Sequence, residues 1–200
     1  MTTIWINSDR FDDAAGERHS ETETSGEAAL IERAKSDPDA FELLYRRHYG
    51  AVVGYLYRRT GDEAAAEDLA AETFLAAYKA IARFEQRGVP LRAWLLRIAT
   101  NQANARDRRR KARDRMMRGL RLMPRHEPSE RPRDEMQMLH AAMDRLAPAH
   151  RAVLALVHFE GLPLETAARV LGVPEGTVKS RLTRARSALR TQLERMGVTP

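Results

Sequence analysis

The chain of 200 residues contains no cysteine and few aromatic residues. The absence of cysteine excludes disulfide bonds, thiolate metal sites and thiol redox chemistry within this chain. The longest uncharged apolar stretch, from Ala152 to Phe159, has about eight residues, whereas a membrane-spanning helix requires about 20. The amino terminus has no basic start followed by an apolar stretch, so no secretory signal is predicted. We therefore expect a cytoplasmic protein that is not inserted in a membrane.

Patterns typical of catalytic and cofactor sites are also missing. The six histidines form no HExxH motif and no paired ExxH pattern, and neither a phosphate-binding glycine loop nor a Gly-x-Ser-x-Gly elbow is present. Glu63, Glu67, Asp68 and Glu72 could be imagined as a metal cluster. They are explained more simply as favourable charge at the positive end of a helix. We expect neither catalysis nor a bound cofactor or metal ion.

Positive charge is concentrated in one part of the chain. The formal net charge is +6, but residues 1–40 contain ten acidic and four basic residues, whereas residues 94–133 contain four acidic and thirteen basic ones. Seven of the ten residues from Arg106 to Arg115 are basic. Such a concentration of positive charge is typical of a surface that binds a polyanion. A solvated, salt-bridged helix face is the alternative interpretation.

The spacing of apolar residues predicts helices, and no segment shows the alternation of a strand. The first predicted helix follows an N-cap at Ser36 or Asp37 and ends at Gly61. A second helix is predicted over residues 62–84 and a third over residues 91–115.

Composition divides the chain into two helical domains. Residues 1–25 are acidic and lack periodicity, which predicts a disordered tail. The first helical domain covers residues 26–115. Residues 116–133 contain three prolines and several arginines, the composition of a basic linker, and the second helical domain covers residues 134–200. The expected fold is all-α, with two small helical domains joined by a basic, proline-containing linker.

The most specific pattern lies in the second domain. Apolar residues spaced as on one helix face run from Leu164 to Leu171 before Gly172, and Pro174 starts a further helix after a short turn. This order predicts a helix-turn-helix. The polar and basic residues of its second helix occupy the first turns, where a recognition helix contacts base edges and phosphates. They are Thr177, Lys179, Ser180, Arg181 and Arg184. An ordinary helical hairpin with a basic surface is the alternative.

The second predicted helix carries a leucine on its charged side. Its apolar face, which includes Leu69, Thr73 and Ala77, is expected to pack inward. The opposite side presents Asp68, Glu72, Leu75 and Lys79. A leucine among charged residues on an exposed stripe favours docking of a partner protein, although single exposed leucines are common on protein surfaces.

The third predicted helix changes from an apolar to a basic surface along its length. Trp94, near its start, could complete the core or stack on a base. Candidates for hydrogen bonds to bases or phosphates follow it: Asn101, Gln102, Asn104, Arg106 and Arg108. Because residues 97–133 contain no aromatic residue, binding of a single DNA strand there would depend on charge and amide groups.

Taken in order, these segments closely resemble the extracytoplasmic-function (ECF) group of bacterial sigma factors. The resemblance is carried by FELLYRRHY, EDLAAETFLAAYKAIARF, WLLRIATNQA with its arginine tail, and LAPAHRAVLALVHFEGLPLETAARVLGVPEGTVKSRLTRARSALR. It covers roughly residues 38–115 and 136–193. The chain departs from the commonest pattern in its acidic tail and in Ala147, where a proline often precedes Pro148. The resemblance implies regions two and four of a dissociable subunit that directs core RNA polymerase to promoters and opens the strands.

The resemblance also implies a role for each candidate surface. Asp68, Glu72, Leu75 and Lys79 match the helix that docks on the clamp coiled coil of the largest polymerase subunit. Capture of the minus-ten element, with a base flipped from the stack, is implied for Gln86, Arg87, Trp94, Asn101, Asn104, Arg106 and Arg108. The recognition-helix residues would read the minus-thirty-five element. An anti-sigma factor is a further implied partner.

Two other functions are considered beside this one. A stand-alone helix-turn-helix regulator that binds duplex DNA explains residues 177–184 but not the docking stripe, and an adaptor that sequesters a protein explains only the stripe. An extended linker of 18 residues reaches about 60 Å, whereas promoter elements one and a half duplex turns apart lie about 50 Å apart. One chain can therefore hold both elements, and we expect the free protein to bind promoter duplex weakly.

Overall fold

The computed structural model describes the backbone of residues 20–86, 88–119 and 135–198, with side chains over 26–86, 88–117 and 138–198. The described ranges are helical and contain no strand. The helices are α1 (Ser20–Ala34), α2 (Pro38–Thr60), α3 (Glu63–Ala80), α4 (Leu91–Gly119), α5 (Glu135–Asp144), α6 (Pro148–Leu154), α7 (Leu164–Leu171) and α8 (Glu175–Arg195). A 3-10 turn, Ile81–Arg83, follows α3, and a π-helical turn, Ala155–Phe159, follows α6. The all-α prediction is confirmed.

The ends of α2 and the start of α3 follow from capping residues in the sequence. The Asp37 carboxylate accepts from the backbone N–H of Asp39 at 3.0 Å, and the Asp62 carboxylate accepts from that of Ala65 at 3.1 Å. Gly61 ends α2 with a φ of 69°. Because a Cβ disfavours this left-handed backbone, glycine suits the position. The predicted N-cap at Asp37 and stop at Gly61 are confirmed.

Helix α1 begins earlier than the sequence pattern predicts. It starts at Ser20, inside the segment predicted as a disordered tail, while residues 1–19 lie outside the described residues. Ile31 and Ala34 are buried against α2, and the Glu27 carboxylate lies 3.0 Å from Nε2 of His48. Contacts with α2 therefore stabilise a helix whose own amphipathic pattern is weak.

Helix α4 is longer and α3 shorter than predicted. No proline or glycine occurs in residues 91–118, so the helix continues to Gly119, four residues into the predicted linker. The rest of that linker, residues 120–134, lies outside the described residues. Helix α3 ends at Ala80, and the backbone of Phe84, the predicted last residue, is extended.

A buried hydrogen-bond chain joins the helices of the first domain. The hydroxyls of Tyr55 on α2 and Thr100 on α4 lie 2.7 Å apart, and Thr100 donates to the Leu96 carbonyl at 2.7 Å. The Tyr55 hydroxyl is therefore the donor in the first bond. Burial raises the pKa of this phenol, which keeps its proton in place. Leu44 and Phe74 complete the apolar packing between α2 and α3.

The two helical domains pack against each other. Helix α7 contacts α4, and α2 contacts α5, α6 and the π-helical turn. Buried apolar residues of both domains form one continuous cluster. No helix in the described ranges combines the length and apolar composition that crossing a bilayer requires.

Candidate nucleic-acid and partner interfaces

Helix α3 presents the predicted docking residues to solvent. Asp68, Glu72, Leu75 and Lys79 are all exposed, with Leu75 at 55% of its full exposure. The opposite face of the helix is buried, as predicted, at Leu69, Thr73 and Ala77. We call the four exposed residues the α3 surface. It combines an apolar centre with charges of both signs.

Aromatic residues that the sequence did not single out continue the α3 surface. Tyr78 is 46% exposed and lies one turn after Leu75, so their side chains are neighbours on the helix. The ring of Phe41 on α2 packs edge-on against Tyr78 with centroids 5.0 Å apart, and Tyr45 packs against Phe74 at 4.8 Å. The spacing of three residues between Leu75 and Tyr78 is the sequence signal for this extension.

Three of the minus-ten candidates lie on one face of α4, and two lie in the loop before it. Trp94, Asn101 and Arg108 follow each other at intervals of seven residues, which places them on the same side of a helix. Trp94 is half-buried against Phe84 with ring centroids 4.8 Å apart, and Asn101 and Arg108 are exposed. Gln86 is exposed. Arg87 lies outside the described residues.

Two other minus-ten candidates already have partners within the first domain. The side-chain oxygen of Asn104 accepts from Nη2 of Arg59 at 2.8 Å. Nη2 of Arg106 lies 3.5 Å from the carboxylate of Asp62, the capping residue of α3. Asn104 and Arg106 would therefore have to share or exchange these partners to contact a DNA strand, whereas Asn101 and Arg108 are exposed.

A cavity of about 960 Å³ lies between Trp94 and the helix-turn-helix. Its lining includes Arg97 from the first domain and Arg169 from α7. Arg97 is exposed one turn after Trp94 and is not among the predicted DNA-binding residues. Its spacing of three from Trp94 and four from Asn101 is the signal that could have identified it.

The helix-turn-helix has the predicted geometry. Gly172 ends α7 with a φ of 65°, and its N–H bonds to the Ala168 carbonyl. A Cβ at Gly172 would meet no atom within 4 Å, so the preference for glycine is conformational. The predicted apolar stripe of α8 is buried at Val178, Leu182, Ala185 and Leu189.

The first turns of α8 bring the predicted recognition residues together. Lys179, Ser180 and Arg184 are exposed, and Thr177 and Arg181 are half-buried. Nζ of Lys179 lies 2.9 Å from the Glu175 carboxylate, a surface ion pair that a DNA phosphate could replace. Among the residues whose side chains are described, no group of three or more His, Asp and Glu is arranged to hold a metal ion.

Comparison with known families identifies both domains. Residues 44–115 match Sigma-70 region 2, and residues 136–189 match Sigma-70, region 4. The chain is 37% identical over 175 residues to the ECF RNA polymerase sigma factor SigL of Mycobacterium tuberculosis, covering 83% of this chain and 96% of that protein. It is 35% identical over 179 residues to the RNA polymerase sigma-H factor of Pseudomonas aeruginosa, covering 82% and 92%.

Solved structures agree with these sequence relationships. The sigma factor RpoE from Bartonella quintana, crystallised with the anti-sigma factor NepR, is 26% identical with a TM-score of 0.65 over 77% of this chain and 96% of that one. CnrH, in complex with the cytosolic domain of CnrY, is 28% identical with a TM-score of 0.61 over 83% and 96%.

The fold and the two matched regions define a sigma factor of the sigma-70 class. The identity to SigL over most of both chains shows that this chain belongs to the ECF RNA polymerase sigma factors. It is a dissociable subunit that directs transcription initiation at specific promoters, which confirms the resemblance found in the sequence. The stand-alone regulator and the adaptor are the weaker interpretations.

Proposed function

We propose that the α3 surface is the part of this sigma factor that docks on core RNA polymerase. The supporting observation is Leu75, which is 55% exposed between charged residues. Burying a leucine side chain stabilises a complex by about 1.5–3 kcal/mol. Asp68, Glu72 and Lys79 around it would orient the partner through complementary charges.

In this proposal the exposed face of α4 and the preceding loop capture the opened strand of the minus-ten element. Trp94 offers an aromatic face for a base, and Asn101 and Arg108 offer hydrogen bonds and positive charge. Gln86, Arg87, Asn104 and Arg106 would complete the strand contacts. Unpairing costs a few kcal/mol for each extruded base. Strand binding offsets that cost only when polymerase holds both domains on the promoter.

The first turns of α8 are proposed to read the minus-thirty-five element in the major groove. This role is supported by the exposure of Lys179, Ser180 and Arg184 on a helix whose other face is buried. Thr177 and Arg181 flank them and would contact phosphates or bases. Binding through several cations would weaken steeply as salt concentration rises.

We further propose that an anti-sigma factor inhibits this chain by covering the α3 surface and its aromatic extension. RpoE of Bartonella quintana has been solved with an anti-sigma factor. Tyr78 is exposed one turn after Leu75, and Tyr45 is exposed where its ring packs on Phe74. These rings add apolar surface suited to a protein partner. Such binding would compete directly with polymerase.

Sigma factors are non-catalytic regulators, and we propose that this chain acts without catalysis or cofactor. We also propose that it acts in the cytoplasm, where bacterial polymerase meets its promoters.

Run-off transcription with purified core polymerase tests the proposed function. Specific initiation only when the chain is added would support it. Tight promoter binding without core polymerase, together with no gain in initiation, would instead favour the stand-alone regulator.

A further inference from the structure

Charge is unevenly distributed along α3. Its four acidic residues, Glu63, Glu67, Asp68 and Glu72, lie in its first ten positions, and its one basic residue, Lys79, lies in the last turn. All five side chains are exposed. A parallel pair of such helices would bring like charges together and align the two helix dipoles, whereas an antiparallel pair brings the acidic half of one helix to the basic end of the other.

The α3 surface is complementary to itself in the antiparallel arrangement. Glu72 precedes Leu75 by three residues and Lys79 follows it by four, so the three share one side of the helix. Glu72 lies about 4.5 Å before Leu75 along the helix axis, and Lys79 lies about 6 Å after it. A two-fold axis that runs between two copies, perpendicular to both helices near Leu75, places Glu72 of each copy opposite Lys79 of the other. The two leucines then meet at the centre.

Small and rigid side chains around Leu75 suit close packing of two helices. Ala71 is exposed one turn before Leu75 on the same side of the helix. In the antiparallel pair, Tyr78 of one copy lies close to Ala71 of the other, where a small side chain leaves room for the ring. Phe41 holds the Tyr78 ring edge-on with centroids 5.0 Å apart, so little side-chain entropy is lost when this ring is covered.

The charged side chains of this surface are available to a second molecule. Among the residues whose side chains are described, Glu72 and Lys79 form no ion pair with one another or with any other residue. Other exposed charges pair within their own helix, such as Glu42 with Arg46. The charges beside Leu75 can therefore pair across a dimer without breaking a contact of the folded chain.

We propose that the free sigma factor self-associates through the α3 surface as an antiparallel, two-fold symmetric dimer. Because α3 has 18 residues and is about 27 Å long, the contact is smaller than the roughly 1,200–2,000 Å² of a stable interface. We expect a dissociation constant of about 1–100 μM. The dimer covers Leu75 and so competes with polymerase. That competition rests on the proposed function of the α3 surface, whereas the dimer itself does not.

Sedimentation velocity of the full-length free chain tests the dimer. At about 150 mM salt, which screens charges more than about 8 Å apart, the average mass should rise with concentration from one chain toward two. Glu72→Lys and Lys79→Glu each place like charges opposite each other at both contacts, and each should weaken self-association about tenfold. Glu194→Lys and Arg190→Glu make the same charge changes at exposed positions of α8 and should leave it unchanged. Circular dichroism checks that each variant folds.

Mixing the two α3 variants tests which residues face each other. In a pair of one Glu72→Lys chain and one Lys79→Glu chain, lysine again faces glutamate at both contacts. The mixed dimer should therefore be about as tight as the native one. Because the native chain has no cysteine, a dye on Arg195→Cys in the first variant reports binding of the unlabelled second variant.

Three results would each overturn the proposal. They are a native chain that stays monomeric up to about 200 μM, well above the expected dissociation constant, α3 variants that dimerise like the native chain, and a mixture that associates no better than either variant alone. Co-purification of Leu75→Glu with core polymerase tests the docking function separately. A dimer that meets these tests while Leu75→Glu still binds polymerase would contradict the docking function and leave the dimer intact.

Discussion

Arg59 on α2 donates to the side-chain oxygen of Asn104 on α4, with 2.8 Å between Nη2 and Oδ1. The same Nη2 lies 3.1 Å from the Asp107 carboxylate, and Arg59 is 2% exposed. This contact anchors the beginning of the basic part of α4 to the core. It also occupies the amide oxygen of a residue proposed to contact DNA, so such a contact would use the amide nitrogen of Asn104.

Replacing Arg59 should destabilise the first domain. In Arg59→Met the Asp107 carboxylate, whose side chain is 21% exposed, loses its buried partner, and we expect a loss of about 3 kcal/mol in the free energy of unfolding. Urea unfolding followed by circular dichroism measures it. Arg46, in an exposed pair with Glu42, is the control, and Arg46→Met should change the value by less than about 0.5 kcal/mol. Equal losses would contradict the structural role of Arg59.

Leu75→Glu should block association with core polymerase while both domains remain folded. The substitution places a carboxylate at the apolar centre of the α3 surface, where docking would have to bury it. Co-purification with tagged core polymerase measures the effect. Leu43 on α2 is 51% exposed, so Leu43→Glu is a matched control that should still bind. Unchanged co-purification of Leu75→Glu would refute the proposed docking surface.

Arg184→Ala should weaken recognition of the minus-thirty-five element by about 1–3 kcal/mol if the guanidinium contacts a base. The effect should appear as a changed sequence preference in duplex binding by the holoenzyme. Arg190 is exposed further along α8, and Arg190→Ala should retain the preference. A uniform loss of affinity across sequences would assign Arg184 to a phosphate instead.

Stability should fall as the solution becomes acidic, in part through His158. Nε of Arg186 donates to Nε2 of His158 at 3.0 Å, so the ring is a neutral acceptor. Burial, and then the charge of Arg186, lower the pKa of His158 from its ordinary value of 6.5. The unfolded chain therefore takes up this proton first, and folded-state stability is lost as pH falls below about 6.5.

His158→Gln isolates this contribution, because a glutamine oxygen can accept from Arg186 but does not titrate. The free energy of unfolding, measured at about pH 7.5 and about pH 5.5, should fall less in the variant than in the native chain. Burial also lowers the pKa of His48, but that contribution is common to both proteins and cancels. An identical fall in both would exclude His158 as a source.

The helices and their caps were predictable because the signals are local. Asp37, Gly61 and Gly172 act on backbone groups within a few residues, and the buried stripe of α8 is visible as a periodic pattern. Helix α1 was missed because its stability comes from contacts with α2, including the bond between Glu27 and His48. Neither residue carries a pattern that reveals its partner.

For the candidate interfaces, the sequence predicted which helix faces are exposed but not the long-range bonds that their side chains make. The exposure of Leu75 and of the first turns of α8 follows from helical periodicity, and the structure agrees. The bond that occupies Asn104 depends on Arg59, 45 residues earlier in the chain. Such a pair forms only after α2 and α4 are packed.

The sequence by itself determined most of the helices, the caps at Asp37, Gly61 and Gly172, the two sigma regions and the basic character of the proposed DNA-facing surfaces, since each depends on residues a few positions apart. Only the tertiary structure decided how the two regions lie against each other. The buried carboxylate of Glu160 in the second region accepts hydrogen bonds from Arg58 and Arg92 in the first region. These arginines lie 102 and 68 residues earlier in the chain. A buried carboxylate is stable between two such distant cations only where the folded chain brings all three together and excludes water.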